Sequence, residues 1–414
     1  MNHLSGRLLP LLVIASAALA TAAAAQRPAA RPPSALDQAF AAFKTFYESG
    51  LKANDIVGAS AFFVRDGQTL ARFCYGTADL ERHHPVDEET IYHWASVTKT
   101  FTAIAIMQLR DRGRLRLDDP VVKYIPELRK VYDPFGDVSD ITIRHLMTHS
   151  AGFRNPTWPW GGDKPWHPFE PTEWSQLVAM LPYTEVEFKP GTRHSYSNPG
   201  IIFLGRIIQL LTDDDYEVYV DKNIFKPLEM YRSYFDTTPY HLLPHRSASY
   251  FVENGKLRAA PFDVDTGITV SNGGLNAPLP DMMKYLGFLI GGGPTRDVYE
   301  GVLARASLEE MFTPLLPVES DGNDQVQIGL NFFVEDRQGF HLVGHGGDQN
   351  GFISHIYICP ALGAGYAVAF NTQTPPTGPD GKERTKEFDA TLRAWVLTHL
   401  FPALASTAPP PRLP

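Results

Sequence analysis

A serine and a lysine stand three residues apart at the start of an apolar helical segment. In HWASVTKTFTAIAIMQLRDRG, residues 93–113, Ser96 and Lys99 have the i, i+3 spacing that places two side chains on one face of a helix. A serine hydroxyl becomes an effective nucleophile when a nearby base takes its proton, and a lysine whose pKa is lowered by burial is such a base. The pair predicts acyl transfer through Ser96. The alternative is a serine that caps the helix and a lysine that extends to solvent.

A tyrosine and an asparagine form a second candidate pair in HSYSNPG, residues 194–200. Tyr196 and Asn198 are two residues apart and precede a segment with helical periodicity. Flanking positive charge lowers the pKa of a phenol, and a tyrosinate is then a base that can share the proton of a serine. The amide of Asn198 can donate a hydrogen bond to a substrate carbonyl. The alternative is a turn in which Asn198 caps a helix whose first residue is Pro199.

A glycine-rich strand end, LVGHGGDQNGF, is the third candidate element. It contains His345, Gly346, Gly347 and Asp348 in succession. Glycines at such a position let a backbone N–H group approach a reacting oxygen closely, as an oxyanion hole requires. The alternative is an ordinary glycine-rich β-turn.

The elements around these motifs are strands at both ends of the chain and helices between them. Residues 58–76 contain two β-rich runs around an Asp-Gly pair, a strong hairpin signal. Helical periodicity fills 198–211 and 280–292, strands return from about Val326, and 386–401 form a closing amphipathic helix. This order predicts an α+β fold. Its single antiparallel sheet, with edges from the two ends of the chain, is flanked by helices and interrupted by an inserted, mainly helical lobe.

The first residues have the pattern of an export signal. Residues 1–25 combine a short apolar stretch with small residues suited to signal peptidase, and 26–34 form a proline-rich linker. Ser34 and Asp37 are typical of a capping pair that opens a helix. We therefore expect a periplasmic or secreted protein with no stable membrane span after signal cleavage.

The folded domain is expected to cover most of the remaining chain. We predict a single domain over 35–401, with a sheet lobe at about 35–95 and 290–401 and a helical lobe at about 96–289. The proline-rich residues 402–414 are predicted to form a disordered tail.

Composition excludes several classes of protein. The 414 residues are 43% hydrophobic and 20% charged, as in soluble globular proteins. A net charge of −9 without a long basic run argues against nucleic acid as a partner. Two cysteines exclude a cysteine-rich zinc or iron–sulfur site, and free buried thiols are favoured over a bond between Cys74 and Cys359.

The three motifs in this order resemble the serine β-lactamase and penicillin-binding-protein superfamily. More narrowly, they resemble the class C β-lactamase-related group, which includes family VIII esterases and has the pattern Ser-x-x-Lys, Tyr-x-Asn and Lys/His/Trp-x-Gly. Residues 146–153, 224–235 and 271–286 add to the resemblance, which covers about 36–401. It implies a β-lactamase/transpeptidase-like fold.

The resemblance also implies roles for the motif residues. Ser96 would be the acylated nucleophile, with Lys99 and Tyr196 sharing proton transfer. Asn198 would position the substrate, and the backbone N–H groups of Ser96 and Asp348 would form the oxyanion hole. No cofactor or metal is implied.

The third motif bears on the substrate. True class C β-lactamases have Lys-Thr-Gly here, and that lysine attracts the carboxylate of the antibiotic, whereas this chain has His345-Gly346-Gly347. A histidine with a pKa of about 6.5 is mostly neutral at pH 7. We therefore expect a weaker electrostatic attraction for an anionic substrate than a lysine would give. Residues 157–174 hold four of six tryptophans, either as a packed loop or as an aromatic wall beside the site.

A carboxylesterase acting on small esters is therefore the preferred hypothesis. A D-aminopeptidase, or a D-Ala-D-Ala carboxypeptidase with weak β-lactamase activity, is the alternative, so the expected partner is a small ester or a D-amino-acid peptide. The oligomeric state stays open.

Two other classes of protein fit the sequence less well. His145 and His149 are spaced as zinc ligands, but Leu146 stands where a zinc peptidase has glutamate, so a structural hydrogen bond is expected of His149. A non-catalytic module that binds peptidoglycan or a protein is disfavoured because all three motifs are intact. Trp94 is expected in the core rather than in a pocket.

Overall fold

The computed structural model describes residues 34–153, 171–253, 255–262, 265–292, 295–318, 325–375, 381 and 383–407. Outside these residues lies the predicted signal peptide. Most of the proline-rich linker and most of the aromatic segment 157–174 also lie outside them, so the predictions made for these three segments remain predictions.

Helices and strands alternate irregularly along the described chain. The helices are α1 Ala35–Ala53, α2 Thr98–Asp111, α3 Ile143–Met147, α4 Trp174–Met180, α5 Asn198–Thr212, α6 Tyr216–Val220, α7 Val270–Gly273, α8 Leu279–Ile290, α9 Arg296–Val302, α10 Arg305–Met311, α11 Arg384–Trp395 and α12 Phe401–Ala405. The strands are β1 Gly58–Arg65, β2 Gln68–Asp79, β3 His84–Pro85, β4 Ile91–His93, β5 Tyr234–Phe235, β6 Tyr250–Glu253, β7 Lys256–Ala259, β8 Leu275–Pro278, β9 Leu316–Pro317, β10 Val326–Ile328, β11 Phe333–Arg337, β12 Phe340–Gln349, β13 Phe352–Cys359, β14 Ala364–Phe370 and β15 Thr372–Gln373.

The main sheet is antiparallel and joins strands from both ends of the chain. In the described residues its order is β3-β2-β1-β14-β13-β12-β11-β10-β9. The edges, β3 and β9, come from the early and late parts of the chain as expected, while β1 pairs with β14 at the centre through seven residues from Ala59 to Arg65. The α+β class with an antiparallel sheet flanked by helices is confirmed.

Each face of the sheet is covered by helices, so the central strands β1, β13 and β14 are buried along their whole length. The alternation of side chains sends neighbouring residues into different cores. Phe62 packs in the large core with the apolar faces of α2, α5 and α8, whereas Phe63 packs in a second core with α1, α11 and α12. Burial on both faces explains why β1 has an unbroken apolar run from Ala61 to Val64.

Local sequence signals at the start of the domain are confirmed. Ser34 Oγ accepts a hydrogen bond from the Asp37 backbone N–H at 3.1 Å, and the Asp37 carboxylate accepts one from Ser34 N at 2.9 Å, so the predicted capping pair opens α1. The Asp66-Gly67 pair joins β1 and β2 as a hairpin.

The C-terminal boundary differs from the sequence expectation. Helix α12 continues through Ala405, beyond the predicted end at 401. The buried Arg65 donates to the carbonyl oxygen of Leu404 at 3.2 Å and to Thr407 Oγ1 at 2.7 Å. Residues 402–407 therefore belong to the fold, because a side chain from the distant strand β1 binds them.

Candidate active site

Ser96 lies in a short 3-10 turn, Ala95–Val97, that continues directly into α2. The turn begins with a strained residue: Ala95 has a φ of +47°, which costs a non-glycine residue on the order of 1–2 kcal/mol. Trp94 fixes the turn, since its backbone N–H donates to β8 at 2.8 Å and its indole N–H donates to Ala277 O at 2.9 Å. Trp94 is fully buried, as the sequence favoured, and Ser96 is half-buried.

Lys99 is fully buried in the first turn of α2 and contacts Ser96. Lys99 Nζ lies 2.9 Å from Ser96 Oγ and donates to the carbonyl oxygen of Asn272 at 2.6 Å. The i, i+3 spacing therefore produces the contact that was predicted. An ammonium donates to the hydroxyl oxygen over this distance, and a neutral amine can accept the hydroxyl proton over the same distance.

Two asparagines that the motifs did not single out hold Lys99 in place. Asn272, in α7, supplies the carbonyl that accepts from Lys99 Nζ. The side chain of Asn331 donates to the Lys99 backbone oxygen at 2.6 Å, from a residue with a φ of +67°. Asn272 falls in the 271–286 stretch that contributed to the family resemblance without a role. Only the tertiary structure shows what either residue contacts.

The segment that carries Asn272 is held at its start by Asp236. The Asp236 carboxylate accepts from the backbone N–H and the hydroxyl of Thr266, each at 2.8 Å, directly before the 3-10 turn that leads into α7. Burial raises the pKa of Asp236 from 3.8 to about 6, and the Thr266 hydrogen bonds only partly oppose this. Because the folded carboxyl keeps its proton to a higher pH than the unfolded one, its contribution favours folding most at acidic pH and declines as the pH rises towards 6.

Replacing Asp236 by asparagine should remove this pH dependence. Relative to Asp236→Asn, the wild-type free energy of unfolding should fall by roughly 1–3 kcal/mol between pH 4 and pH 7, because only the wild type loses a proton from a partly buried group. Urea unfolding at several pH values measures the difference. Asp297→Asn, at an exposed position on α9, is the control and should leave the profile unchanged. Parallel profiles for wild type and Asp236→Asn would contradict the assignment.

Tyr196 lies beside the Ser96–Lys99 pair, with Lys99 Nζ 5.1 Å from its ring centroid. The expectation that flanking positive charge lowers the pKa of Tyr196 is wrong. Burial raises that pKa, and a hydrogen bond with the Ser96 hydroxyl only partly opposes the shift. The neighbouring imidazoles supply no charge, since burial lowers the pKa of His149 well below its usual value and that of His345 to about 3. Tyr196 is therefore a neutral phenol that can relay a proton.

Removing the phenol hydroxyl tests that relay. Tyr196→Phe should lower kcat by about 10²- to 10⁴-fold if the hydroxyl lies in the proton path, because positioned acid–base groups contribute on that scale. Steady-state ester hydrolysis measures it. Tyr231→Phe, at a tyrosine that is 69% exposed, serves as the control. A loss below about tenfold would reduce Tyr196 to a hydrogen-bonding role.

The third motif lies at the end of β12, next to the nucleophile turn. Strand β11 pairs with β12 only as far as Gly344. Beyond Gly344, β12 contacts the 3-10 turn that carries Ser96. A Cβ atom added to Gly347 would lie 2.2 Å from the carbonyl oxygen of Trp94, so this approach requires glycine. At Gly346, in contrast, the nearest neighbour of an added Cβ is Ser354 O at 3.7 Å, which leaves room beside the strand.

The side chain of His345 is buried away from solvent. The side chain of Asp348 points away from the nucleophile. His345 is 2% exposed, its Nδ1 lies 2.6 Å from Gly346 O, and its ring packs 5.1 Å from Phe333. A neutral imidazole must donate through Nδ1 in that contact. The Asp348 carboxylate binds Lys386 at 2.7 Å and Gln373 at 2.8 Å, so Asp348 offers only its backbone to the site.

Asn198 is the first residue of α5 rather than its cap. Ser197 is the N-cap, and its hydroxyl accepts from Gly200 N at 3.4 Å. His149 makes the expected structural hydrogen bond, since its Nδ1 accepts from Ser197 N at 3.2 Å. Its ring also lies 4.5 Å from that of Tyr196. His149 therefore supports the Tyr196 segment, a role that its zinc-like spacing with His145 did not indicate.

The described part of the chain has no cluster of metal ligands, no disulfide and no membrane-length apolar helix. In that part of the chain no group of three or more histidine, cysteine or acidic side chains could hold a metal ion. Cys74 and Cys359 are both free, as expected. None of the described helices has the length and hydropathy needed to span a membrane.

The geometry agrees with a family model described as Beta-lactamase, which matches residues 36–390. The chain belongs to the β-lactamase family. The family is one of β-lactamase-fold serine hydrolases, as the order of the three motifs indicated. The octameric penicillin-binding protein homologue from Pyrococcus abyssi superposes with a TM-score of 0.71 at 28% identity, over 87% of this chain and 77% of that one.

Curated relatives match over shorter regions. Protein flp of Staphylococcus aureus (strain MW2) is 32% identical over 196 residues, which are 47% of this chain and 38% of flp. Esterase EstB of Burkholderia gladioli is 30% identical over 192 residues, 44% of this chain and 48% of EstB. The chain thus spans less than half the length of these relatives.

Proposed function

We propose that this β-lactamase-family protein is an exported esterase that forms an acyl-enzyme on Ser96 and acts chiefly on small carboxylic esters. The observation that carries the proposal is the 2.9 Å contact between Ser96 Oγ and the buried Lys99 Nζ. This contact places an amine nitrogen within hydrogen-bonding distance of the serine hydroxyl, which is the arrangement that an activated serine nucleophile needs.

The proposed reaction has two steps. Ser96 Oγ attacks the ester carbonyl while its proton passes to Lys99 Nζ, and the developing oxyanion accepts hydrogen bonds from the backbone N–H groups of Ser96 and Asp348. The proton then moves through Tyr196 to the departing alkoxide, which leaves as an alcohol. Water then attacks the acyl-enzyme and gives a proton to the same pair, which returns a proton to Ser96 Oγ as its ester bond breaks and the carboxylic acid leaves. Asn198 would hold the substrate, and no step uses a cofactor or metal.

The preference for neutral esters rests on the third motif. His345 is buried and carries no charge at neutral pH, and Gly346 and Gly347 have no side chain. This strand therefore presents neither a cation nor a hydroxyl to a substrate carboxylate. The similarity to EstB, whose name is that of an esterase, supports the same choice.

Action on D-amino-acid peptides is the second candidate, with weak β-lactam hydrolysis as a companion activity. The similarity to the penicillin-binding protein homologue from Pyrococcus abyssi, over most of both chains, favours it. Export to the periplasm or outside the cell, proposed from residues 1–25, would place a peptidase beside its substrate.

Initial rates on three substrates test the proposal. The protein and its Ser96→Ala variant are compared on p-nitrophenyl butyrate, a chromogenic cephalosporin and D-alanine p-nitroanilide. A Ser96-dependent rate that is far higher on the ester supports the esterase. Dominance of the D-alanine substrate would replace it with a peptidase, and no reaction with any of the three would favour a non-catalytic binding module.

A lysine at position 345 tests the charge argument for the substrate. His345→Lys should raise the ratio of kcat/KM on the anionic cephalosporin to that on the neutral ester by about tenfold, because a charge near the substrate carboxylate is worth on the order of 1 kcal/mol or more. His341→Lys, at an exposed histidine of the same strand, is the matched control. Equal changes on both substrates would refute the argument.

A further inference from the structure

A buried histidine joins three strands next to the site. His93 Nδ1 lies 3.1 Å from Asn276 Oδ1, and His93 Nε2 lies 3.2 Å from Gln349 Oε1. We refer to His93, Asn276 and Gln349 as the His93 cluster. Its members come from β4, β8 and β12, and His93 and Asn276 are almost completely buried. The cluster thus replaces water at the point where these strands meet.

The hydrogen-bond directions in the cluster follow from its surroundings. Asn276 Nδ2 donates to the carbonyl oxygens of Asp236 and Gly274, each at 3.2 Å, so Asn276 Oδ1 is the atom that faces His93. His93 must therefore donate through Nδ1. Burial, helped by the charge of Arg246, lowers the pKa of His93 to about 4, so the ring is neutral at pH 7. Its Nε2 then has only a lone pair, so the Gln349 amide must be turned to place its N–H group, in place of Oε1, against Nε2.

Each strand in the cluster leads to one part of the proposed acylation machinery. His93 ends β4 and stands three residues before Ser96. Asn276 follows the α7 segment whose Asn272 carbonyl binds Lys99 Nζ. Gln349 comes directly after Asp348.

We infer that His93 is a positioning residue that sets the distance between the nucleophile turn and the oxyanion strand. It does so through an Nδ1–H hydrogen bond donated to Asn276 and a hydrogen bond accepted from the turned side-chain amide of Gln349. This inference rests on the proposed function, because it assigns no contact with substrate to His93. It predicts an effect on chemistry rather than on binding, since an error of about 1 Å in the position of reacting groups can cost on the order of 10²-fold in rate.

Two variants and their combination test the inference. His93→Phe keeps a ring but removes both hydrogen bonds, and Gln349→Met removes one bond from a half-buried side chain. Each should lower the acylation rate constant for p-nitrophenyl butyrate about 10- to 100-fold, with KM changed less than about threefold. The double variant should be no slower than His93→Phe, because both changes break one link. His341→Phe, on the exposed histidine of β12, is the control.

Rescue and a spectroscopic measurement separate positioning from stability. His93→Asn keeps an amide that can donate towards Asn276 and should recover part of the rate lost in His93→Phe. Proton–nitrogen NMR of the imidazole rings, assigned by the signal lost in His93→Phe, should show a neutral Nδ1–H tautomer at pH 7. Thermal melts confirm that each variant is folded at the assay temperature.

Three results would overturn the inference. They are a charged or Nε2–H tautomer for His93, full additivity of the two single variants, and a loss that appears only in KM. If the wild-type Ser96 is not acylated by a fluorophosphonate or an activated ester, the proposed function fails and takes the inference with it. If the wild type is labelled and His93→Phe is acylated at an unaltered rate, the inference is rejected while the proposed function stands.

Discussion

Ser96→Ala should abolish ester hydrolysis to within the background rate, a loss of about 10³- to 10⁶-fold in kcat. The hydroxyl is the atom that Lys99 Nζ contacts at 2.9 Å, and alanine leaves the strained turn without any group that can form an ester. Binding should persist, because the substitution removes one oxygen atom and leaves the backbone N–H groups in place. The loss should therefore appear in kcat.

The experiment compares burst-phase release of p-nitrophenol and mass-spectrometric labelling in the wild type and the variant. A burst of one equivalent and an acyl adduct on the wild type, with neither on Ser96→Ala, is the expected result. Ser49→Ala, an exposed serine on α1, is the control for the loss of any serine hydroxyl. Near-normal turnover by Ser96→Ala would reject Ser96 as the nucleophile.

Lys99→Met should lower the acylation rate by about 10⁴- to 10⁶-fold, the scale seen when the base partner of a serine nucleophile is removed. The methionine side chain is similar in length to that of lysine and has no ionisable group. It therefore fills the same space but cannot accept a proton. The Asn272 carbonyl loses its hydrogen-bond donor, but a buried polar amine that is costly to desolvate also disappears. We therefore expect the free energy of unfolding to change by less than about 2 kcal/mol.

Two measurements on the same sample separate chemistry from folding. Single-turnover acylation gives the rate, and urea unfolding gives the stability. Lys52→Met, on an exposed lysine in the last turn of α1, controls for the substitution itself. A Lys99→Met protein that is folded and still acylates within tenfold of the wild type would exclude Lys99 as the base and shift that role to Tyr196.

Much of this molecule follows from local sequence. The capping pair of Ser34 and Asp37, the Asp66-Gly67 hairpin and the closing helix all form as predicted, because each depends on interactions between residues close in the chain. The contact of Ser96 with Lys99 belongs to the same class, since a helical turn alone brings i and i+3 together.

Other properties depend on residues that are far apart in sequence. The sequence suggested a Tyr196 whose pKa is lowered by neighbouring charge, but the pKa of a buried group depends on what the fold excludes, and desolvation raises that of the phenol. The continuation of α12 to Ala405 depends in the same way on Arg65, more than three hundred residues earlier.

The sequence by itself indicated the family, the proposed nucleophile and the proposed base, because these residues lie in short motifs with fixed spacing. Only the tertiary structure decided how the motifs meet: Asn272 and Asn331 against Lys99, and His93 between Asn276 and Gln349. The physical reason is that a buried polar group takes whichever partner the packed strands bring within hydrogen-bonding distance. The periodic pattern of apolar and polar residues along the chain does not indicate that partner.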